Sequence, residues 1–313
     1  MLADKLRAAT SVAAGGEPWS LTDAHRPPGS DPPATYGLGN LTGGGNNQLD
    51  IFFKPDGTKV YTVSRGTIAN RVVAEYDLAI AWGINTASFL QSFSISAQET
   101  NASGLFFKPD GTKMYVTGYA GDDVNEYDLS IAWDISTASF LQLFSVAAQE
   151  INPQGIFFKP DGTKMYITGF TGDDVNEYDL GTAWDISTAS FLQLFSVAAQ
   201  ETVPEGIFFK PDGTKMYIVG SAGDDVNEYD LSIAWDISTA SFLQRFSVAA
   251  QATIPRGISF KTDGTYMYIE QGSTVYGYIL STAWDVSSAA WDEPIYTDRF
   301  DVTAQETNPS GVF

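Results

Sequence analysis

The chain has 313 residues, with 38 acidic against 17 basic side chains, a formal net charge of −21 and no cysteine, which excludes disulfides, thiolate metal sites and cysteine nucleophiles. The single histidine, His25, lies in a Pro- and Gly-rich stretch, so any histidine-dependent mechanism would have to operate there. So negative a surface repels phosphate, and we expect neither nucleic acid nor an anionic membrane as a partner.

Residues 1–33 are predicted to form an arm separate from the rest of the chain. Apolar residues fall roughly on one face of residues 2–14, which favours a short helix. Residues 15–33 hold two Pro pairs with several Gly and Ser, which is typical of an extended linker. No continuous apolar segment follows the basic residues at the beginning of the chain, so we expect no secretory signal.

From residue 49 onward, one unit recurs five times. The phrase Phe-Lys-Pro-Asp-Gly-Thr, or a close variant, places an Asp every 51 to 54 residues, at Asp56, Asp110, Asp161, Asp212 and Asp263. A Trp follows the phrase Tyr-Asp-Leu or its variant in every unit, at Trp82, Trp133, Trp184, Trp235 and Trp284. Each unit contains four short segments rich in Phe, Tyr, Val and Ile, separated by Gly and Asp turns. Four strands in a unit of this length predict a β-propeller blade.

The predicted fold is an all-β propeller with five blades. The blades cover residues 49–98, 99–149, 150–200, 201–251 and 252–303. Six blades are the alternative, because residues 304–313 resemble the start of a further repeat and could equally supply a strand that closes the ring. Residues 34–42 stand upstream of the first blade at the position of an outer strand.

The phrase Phe-x-Pro-Asp-Gly-Thr-x-x-Tyr-Val/Ile stands at residues 107–116, 158–167 and 209–218, and it resembles the repeat of YVTN- and NHL-type β-propellers. The resemblance covers about four fifths of the chain and implies the propeller fold. It implies no single activity, because that superfamily includes lactonases, quinoprotein-like enzymes and binding modules. The longer unit resembles repeats in proteins of marine bacteria and their phages, which implies a virion or surface component.

An acidic pair recurs in the loop between the second and third strands of three blades. Its members are Asp122 and Asp123, Asp173 and Asp174, and Asp224 and Asp225. Paired carboxylates on loops can bind Ca²⁺ through oxygen ligands, whereas the simpler interpretation is a solvated acidic turn. Calcium is therefore the one cofactor that we consider, and we expect no other.

The connections between blades carry a second set of polar residues. These candidates for ligand binding at the top face are Glu99, Glu150, Glu201, Glu306, Asn101 and Asn152. The resemblance to lactonase-type propellers implies a divalent metal bound by Glu, Asn and Asp in such a region. The same residues recur here in blade after blade, whereas a catalytic metal site needs different residues that converge from different blades. We therefore expect no catalytic residue and no catalytic metal in this set.

The repeated Trp residues are expected to pack between adjacent blades, and the alternative is a set of aromatic platforms for sugars. Trp19 and Trp291 fall outside the repeat register, so we expect these two side chains to contact a partner or ligand.

The near-identical repeats, the separate arm and the lack of His in the repeats favour a non-enzymatic protein. We expect a structural or adhesive propeller on a larger assembly, such as a decoration, fibre or tail component of a phage virion, located on the particle or another extracellular surface. Its partners would be other assembly proteins held through residues 1–33, with further copies of the chain or a surface glycan as additional ones. The alternatives are a lectin-like binding propeller at the cell surface and a metal-dependent lactonase-like hydrolase.

Overall fold

The computed structural model describes residues 36–37, 48–66 and 71–291. The strands form five antiparallel sheets, and in the first four the spatial order of the strands follows their order in the sequence. Blade 1 holds β2 (Gln48–Phe53), β3 (Lys59–Ser64), β4 (Val72–Leu78) and β5 (Ala87–Ser94). Blade 2 holds β6 (Ala102–Phe107), β7 (Lys113–Gly118), β8 (Asp123–Leu129) and β9 (Ala138–Ser145). Blade 3 holds β10 (Pro153–Phe158), β11 (Lys164–Gly169), β12 (Asp174–Leu180) and β13 (Ala189–Ser196).

Blades 4 and 5 complete the ring. Blade 4 holds β14 (Pro204–Phe209), β15 (Lys215–Gly220), β16 (Asp225–Leu231) and β17 (Ala240–Ser247). Blade 5 holds β18 (Gly257–Phe260), β19 (Tyr266–Gln271), β20 (Thr274–Leu280) and β21 (Ala289–Trp291). The first strand of each blade contacts the first strand of the next, and β18 contacts β2, so these five strands surround a central channel. The prediction of an all-β propeller with five blades is confirmed.

The outer edge of blade 5 is built from two separate pieces of chain. The short strand β21 pairs with the second half of β20. A two-residue strand, β1 (Tyr36–Gly37), pairs with the first half of β20. β1 lies within residues 34–42, so a segment that precedes blade 1 in the sequence adds to the last blade. Residues 1–33 and 304–313 lie outside the described residues.

Single-turn 3₁₀ helices join the third and fourth strands of every blade, at Ile84–Thr86, Ile135–Thr137, Ile186–Thr188, Ile237–Thr239 and Val286–Ser288. No helix in the part of the chain that the structure describes has the length and apolar character needed to cross a bilayer.

The repeated Trp is packed between blades in an unusual backbone conformation. Trp184 has a φ of 66°, and its ring covers Gly162 of the hairpin turn so closely that no Cβ could fit there. The ring stacks on Phe158 of its own blade at 5.6 Å and on Phe106 of the preceding blade at 6.4 Å between centroids. Its backbone carbonyl accepts a hydrogen bond of 2.7 Å from the hydroxyl of Tyr115, also in the preceding blade. These contacts hold the strained Trp in place and join the two blades.

A buried polar layer joins the same blades nearer their outer edge. Glu177 is fully buried, forms a salt bridge with Lys164 and accepts a hydrogen bond of 2.9 Å from Gln193. Gln193 also donates to Asp236 in the next blade at 2.8 Å. The Ile237 N–H donates to Glu177 at 3.3 Å, so the carboxylate is bonded on both sides of the junction.

Candidate functional site

The end of the central channel nearest the hairpin turns is lined by aromatic rings. Phe52, Phe106, Phe157 and Phe208 lie at equivalent positions of four inner strands, and neighbouring rings meet edge to face at 5.2–5.3 Å between centroids. Blade 5 places Ser259 at this position. The ring of Phe side chains is therefore open on one side.

These residues enclose a cavity of about 170 Å³. Most of its lining is apolar, and the polar side chains on its wall are those of Asp50, Ser259 and Thr262, apart from the Trp82 indole. An apolar pocket with a few polar groups is the usual form of a small-molecule site.

Asp50 supplies the carboxylate of this cavity, and its position in the repeat holds a different residue in the other blades. The other four blades have glycine at the same position, at Gly104, Gly155, Gly206 and Gly257. The Asp50 side chain is 8% exposed, and it accepts hydrogen bonds from the N–H groups of Ile51 at 2.8 Å and Leu105 at 2.9 Å. Burial outweighs these two bonds and raises the pKa of Asp50 to about 7.

Further residues that differ between blades lie next to Asp50, towards the other end of the channel. The position before the repeated glycine carries Leu49, Ser103, Gln154, Glu205 and Arg256 in blades 1 to 5. In β19, Glu270 stands where the other blades have Val63, Thr117, Thr168 and Val219. We call Asp50, Glu205, Arg256 and Glu270 the channel cluster, because the charges of Asp50, Glu205 and Arg256 all act on Glu270.

The channel cluster holds more acidic groups than its single cation can neutralise. Glu270 is fully buried, and the backbone N–H of Gly257 is close enough to favour its charged form. Burial raises the pKa of Glu270 well above its ordinary value, while Arg256 opposes this and Asp50 adds to it. Burial also raises the pKa of Glu205, against the charges of Arg256 and Arg65. Because burial opposes ionisation of all three carboxyl groups, the channel cluster is a candidate for proton exchange with a bound molecule.

The donor set of the channel cluster does not fit a metal ion. In residues 36–37, 48–66 and 71–291, no three His, Cys, Asp or Glu side chains converge as a metal site requires. The guanidinium of Arg256 is also close enough to act on both Glu205 and Glu270, which disfavours a second cation. We derive no step through a metal at this site.

The three predicted glutamates within the described residues fix the loops between blades. Glu99, Glu150 and Glu201 are at most 1% exposed. Glu150 accepts hydrogen bonds from the N–H groups of Asn152 at 2.7 Å, Thr171 at 3.2 Å and Gly172 at 3.1 Å. In blade 2, Glu99 accepts from the Asn101 N–H at 2.5 Å. Ligand binding by these residues stays a prediction.

The acidic pairs place their two members differently. The first Asp of each pair has a positive φ, between 48° and 51°. The second Asp begins the third strand and is 6% exposed, so the pair as a whole is not a solvated turn. Burial and a neighbouring glutamate raise the pKa of Asp123 and of Asp174 to about 6.

Of the two Trp residues outside the repeat register, Trp291 ends β21, where it is partly buried against the apolar core of blade 5. Its contact with a partner stays a prediction. Trp19, His25 and Glu306 lie outside the described residues.

Several solved propeller structures are similar to this chain. A candidate 6-phosphogluconolactonase from Bacteroides fragilis has a TM-score of 0.51 at 14% identity, over 78% of this chain and 84% of that one. A second candidate 6-phosphogluconolactonase, from Bacteroides uniformis, has a TM-score of 0.49 at 14% identity, over 76% and 70%. The periplasmic gluconolactonase of Pseudomonas aeruginosa has a TM-score of 0.46 at 15% identity, over 76% and 66%. No protein-family model and no curated protein matches the chain significantly.

The prediction of a non-enzymatic structural or adhesive virion component is wrong. Three solved propellers that resemble this chain bear lactonase names, and none of these three is named as a virion component. That prediction gave weight to the lack of histidine in the repeats, and the polar candidates that it considered recur in several blades. The channel cluster needs no histidine, and its four members each depart from the repeat. At 14–15% identity the likeness shows the fold.

Proposed function

We propose that the protein is a lactonase-like hydrolase that opens a small cyclic ester in the cavity of the central channel, with Asp50 as its general base. The observation that carries the proposal is the single carboxylate in the wall of an apolar cavity, with its pKa raised to about 7. A general base works best when its pKa lies near the working pH.

The cavity favours a small, uncharged and largely apolar ring. Its volume of about 170 Å³ accommodates a five- or six-membered lactone, and the Phe rings offer apolar faces to the ring carbons. The open side at Ser259 supplies a hydroxyl that can bond to the ester oxygens.

The reaction needs one water molecule and one carboxylate. Asp50 accepts a proton from water while the water oxygen bonds to the ester carbonyl carbon. The ring carbon–oxygen bond then breaks, and protonated Asp50 returns the proton to the departing ring oxygen. Glu270 lies beside Asp50 in the channel cluster, and burial raises the pKa of Glu270 well above its ordinary value.

The test is hydrolysis of γ-butyrolactone, δ-valerolactone and gluconolactone by the purified protein, followed in a pH-stat. We expect kcat/KM to rise with pH through an inflection near pH 7. The variant Asp50→Gly installs the residue of the other four blades, so it should fold. We expect it to lower kcat by about 10²-fold or more, with a small change in KM.

The control is Asp128→Asn, which removes one exposed carboxylate of blade 2 and should keep full activity. Failure of the folded wild-type protein to hydrolyse any of the three lactones would overturn the proposal. Equal kcat for the wild type and Asp50→Gly would overturn it as well.

A further inference from the structure

The spaces between blades hold a second set of buried polar groups. In three blades, a glutamate from the connection between blades lies beside an aspartate and an asparagine of the third strand. We call each such set an oxygen triad: Glu99, Asp123 and Asn125; Glu150, Asp174 and Asn176; Glu201, Asp225 and Asn227. All nine side chains are buried, and none is more than 6% exposed.

Hydrogen bonds orient the asparagine within the triad. The Asn125 side-chain amide donates from Nδ2 to Asp123 Oδ1 at 2.6 Å, and Asn176 donates to Asp174 in the same way at 2.7 Å. Because the amide nitrogen faces the carboxylate, the amide oxygen remains for another partner. The local geometry therefore collects oxygen acceptors.

Backbone N–H groups satisfy the carboxylates of Glu150 and Glu201, but other acceptors of the triads have no partner among the described residues. The Oδ1 atoms of Asn125, Asn176 and Asn227 have no hydrogen-bond partner there, and neither does Oε2 of Glu99. A buried acceptor without a partner costs about 1–3 kcal/mol. The same deficit occurs in three blades, which indicates a missing group rather than an isolated packing defect.

Among the described residues, a salt bridge to a basic side chain occurs in only one of the three triads. In the part of the chain that the structure describes, Arg245 contacts Asp225 at 3.3 Å, while no Lys or Arg forms a salt bridge with the carboxylates of the first two triads. In the third triad, a Cβ on Gly223 would lie 3.3 Å from Asp225 Oδ2 and 3.4 Å from Glu201 Oε2. The two carboxylates therefore lie next to each other beside this glycine.

All three positions differ in blade 5, and both strand positions differ in blade 1. Blade 5 carries Ala252, Thr274 and Tyr276 in place of the glutamate, aspartate and asparagine, and blade 1 carries Val72 and Ala74 at the two strand positions. The strand register fixes this correspondence, since Thr274 pairs with Gln271 as Asp123 pairs with Gly118. Joint replacement indicates that the three side chains serve one purpose.

We propose that each oxygen triad binds one divalent cation that prefers oxygen ligands, such as Ca²⁺. Two carboxylates and one amide oxygen are ligands that Ca²⁺ favours, and backbone carbonyls or water would complete the six to eight positions that it takes. The cation would satisfy the unpaired oxygens and offset the carboxylate charge at the junctions between blades 1 and 2, 2 and 3, and 3 and 4.

The test is direct measurement of bound metal. The full-length protein is treated with a chelator, dialysed against Ca²⁺ at low micromolar to millimolar concentrations, and analysed by mass spectrometry for metal content. We expect about three ions per chain at saturation, one for each triad, and a melting temperature that rises with Ca²⁺ concentration.

Two variants use residues that the repeat itself supplies. Asp174→Thr copies blade 5 and Asn125→Ala copies blade 1, and we expect each to lower the bound metal from about three ions to two. The control Asp179→Asn removes one carboxylate that is 49% exposed, and it should retain all three ions. The proposal is overturned if the folded wild type binds no Ca²⁺, or if both triad variants bind as many ions as the wild type.

Discussion

The hydroxyl of Tyr268 in blade 5 donates a hydrogen bond of 2.8 Å to the backbone carbonyl of Trp82 in blade 1. The two residues are 186 positions apart, whereas the equivalent Tyr and Trp at the other four junctions are 67 to 72 positions apart. Among the described residues, this junction lacks the polar layer found elsewhere, because Tyr266, Gly277 and Gly83 replace its Lys, Glu and Asp. The Tyr268 bond therefore carries more of the closure of the ring.

We expect Tyr268→Phe to loosen the junction between blades 5 and 1. Loss of one buried hydrogen bond costs about 1 kcal/mol in the free energy of unfolding. The Lys, Glu and Asp of the polar layer are replaced at this junction, so local opening should become easier there. Hydrogen exchange followed by mass spectrometry should show faster exchange in β2 and β18.

The matched control is Tyr166→Phe, which removes the same bond at the junction between blades 3 and 4. We expect a similar change in global stability but little change in exchange at that junction, because the polar layer still connects the two blades. Equal local effects of the two variants would contradict a special role for Tyr268.

A methyl group on the hairpin glycine should strongly destabilise a blade. Gly162 has a φ of 74°, and the Trp184 ring occupies the space of any Cβ. We expect Gly162→Ala to cost at least about 2 kcal/mol, from the left-handed backbone and the displaced ring. In Gly181→Ala the nearest atom would be 3.6 Å away, so its change should stay within about 0.5 kcal/mol. Urea denaturation measures the free energy of unfolding of the two variants. Similar losses in Gly162→Ala and Gly181→Ala would contradict the packing of Trp184 on Gly162.

The buried carboxylate of the polar layer should matter far more than its exposed neighbour. Glu177→Ala leaves Gln193 and the Ile237 N–H without their shared acceptor and weakens the pairing of Lys164. We expect a loss of about 3 kcal/mol. Asp179→Asn changes the other, half-exposed partner of Lys164 and should cost less than about 1 kcal/mol. Thermal unfolding measures the loss of stability in each variant. Equal losses in the two variants would contradict this prediction.

The fold could be predicted because the same local sequence signals for turns and strands occur in every blade. Pro160, Asp161 and Gly162 specify the hairpin turn, and the alternation that follows specifies a half-buried strand, five times over. Ring closure was harder, since the pairing of Tyr36 with Val275 joins positions that no local pattern connects.

The candidate site could not be predicted from the repeats, because its residues are not repeated. The channel cluster draws its residues from three blades: Asp50, Glu205, Arg256 and Glu270. Each of them differs from the residues at the same position in the other blades, so a comparison of repeated residues does not find them. Their charges interact only because a propeller brings the beginnings of its inner strands to one axis. A useful signal was nevertheless present: in nearly identical repeats, a position that differs in every blade indicates selection at the channel.

The pH dependence of stability should reveal the titration of Asp50. Its pKa is about 7 in the folded protein, against ~3.9 in an unfolded chain. Between these values the folded state holds a proton that the unfolded state has lost, so this group's contribution to stability falls as pH rises, by up to about 1.4 kcal/mol per pH unit. Asp50→Gly should remove this slope, while Glu270 contributes in both proteins. Urea unfolding at pH 4.5, 5.5 and 6.5 measures the difference, and parallel curves for the two proteins would contradict the raised pKa.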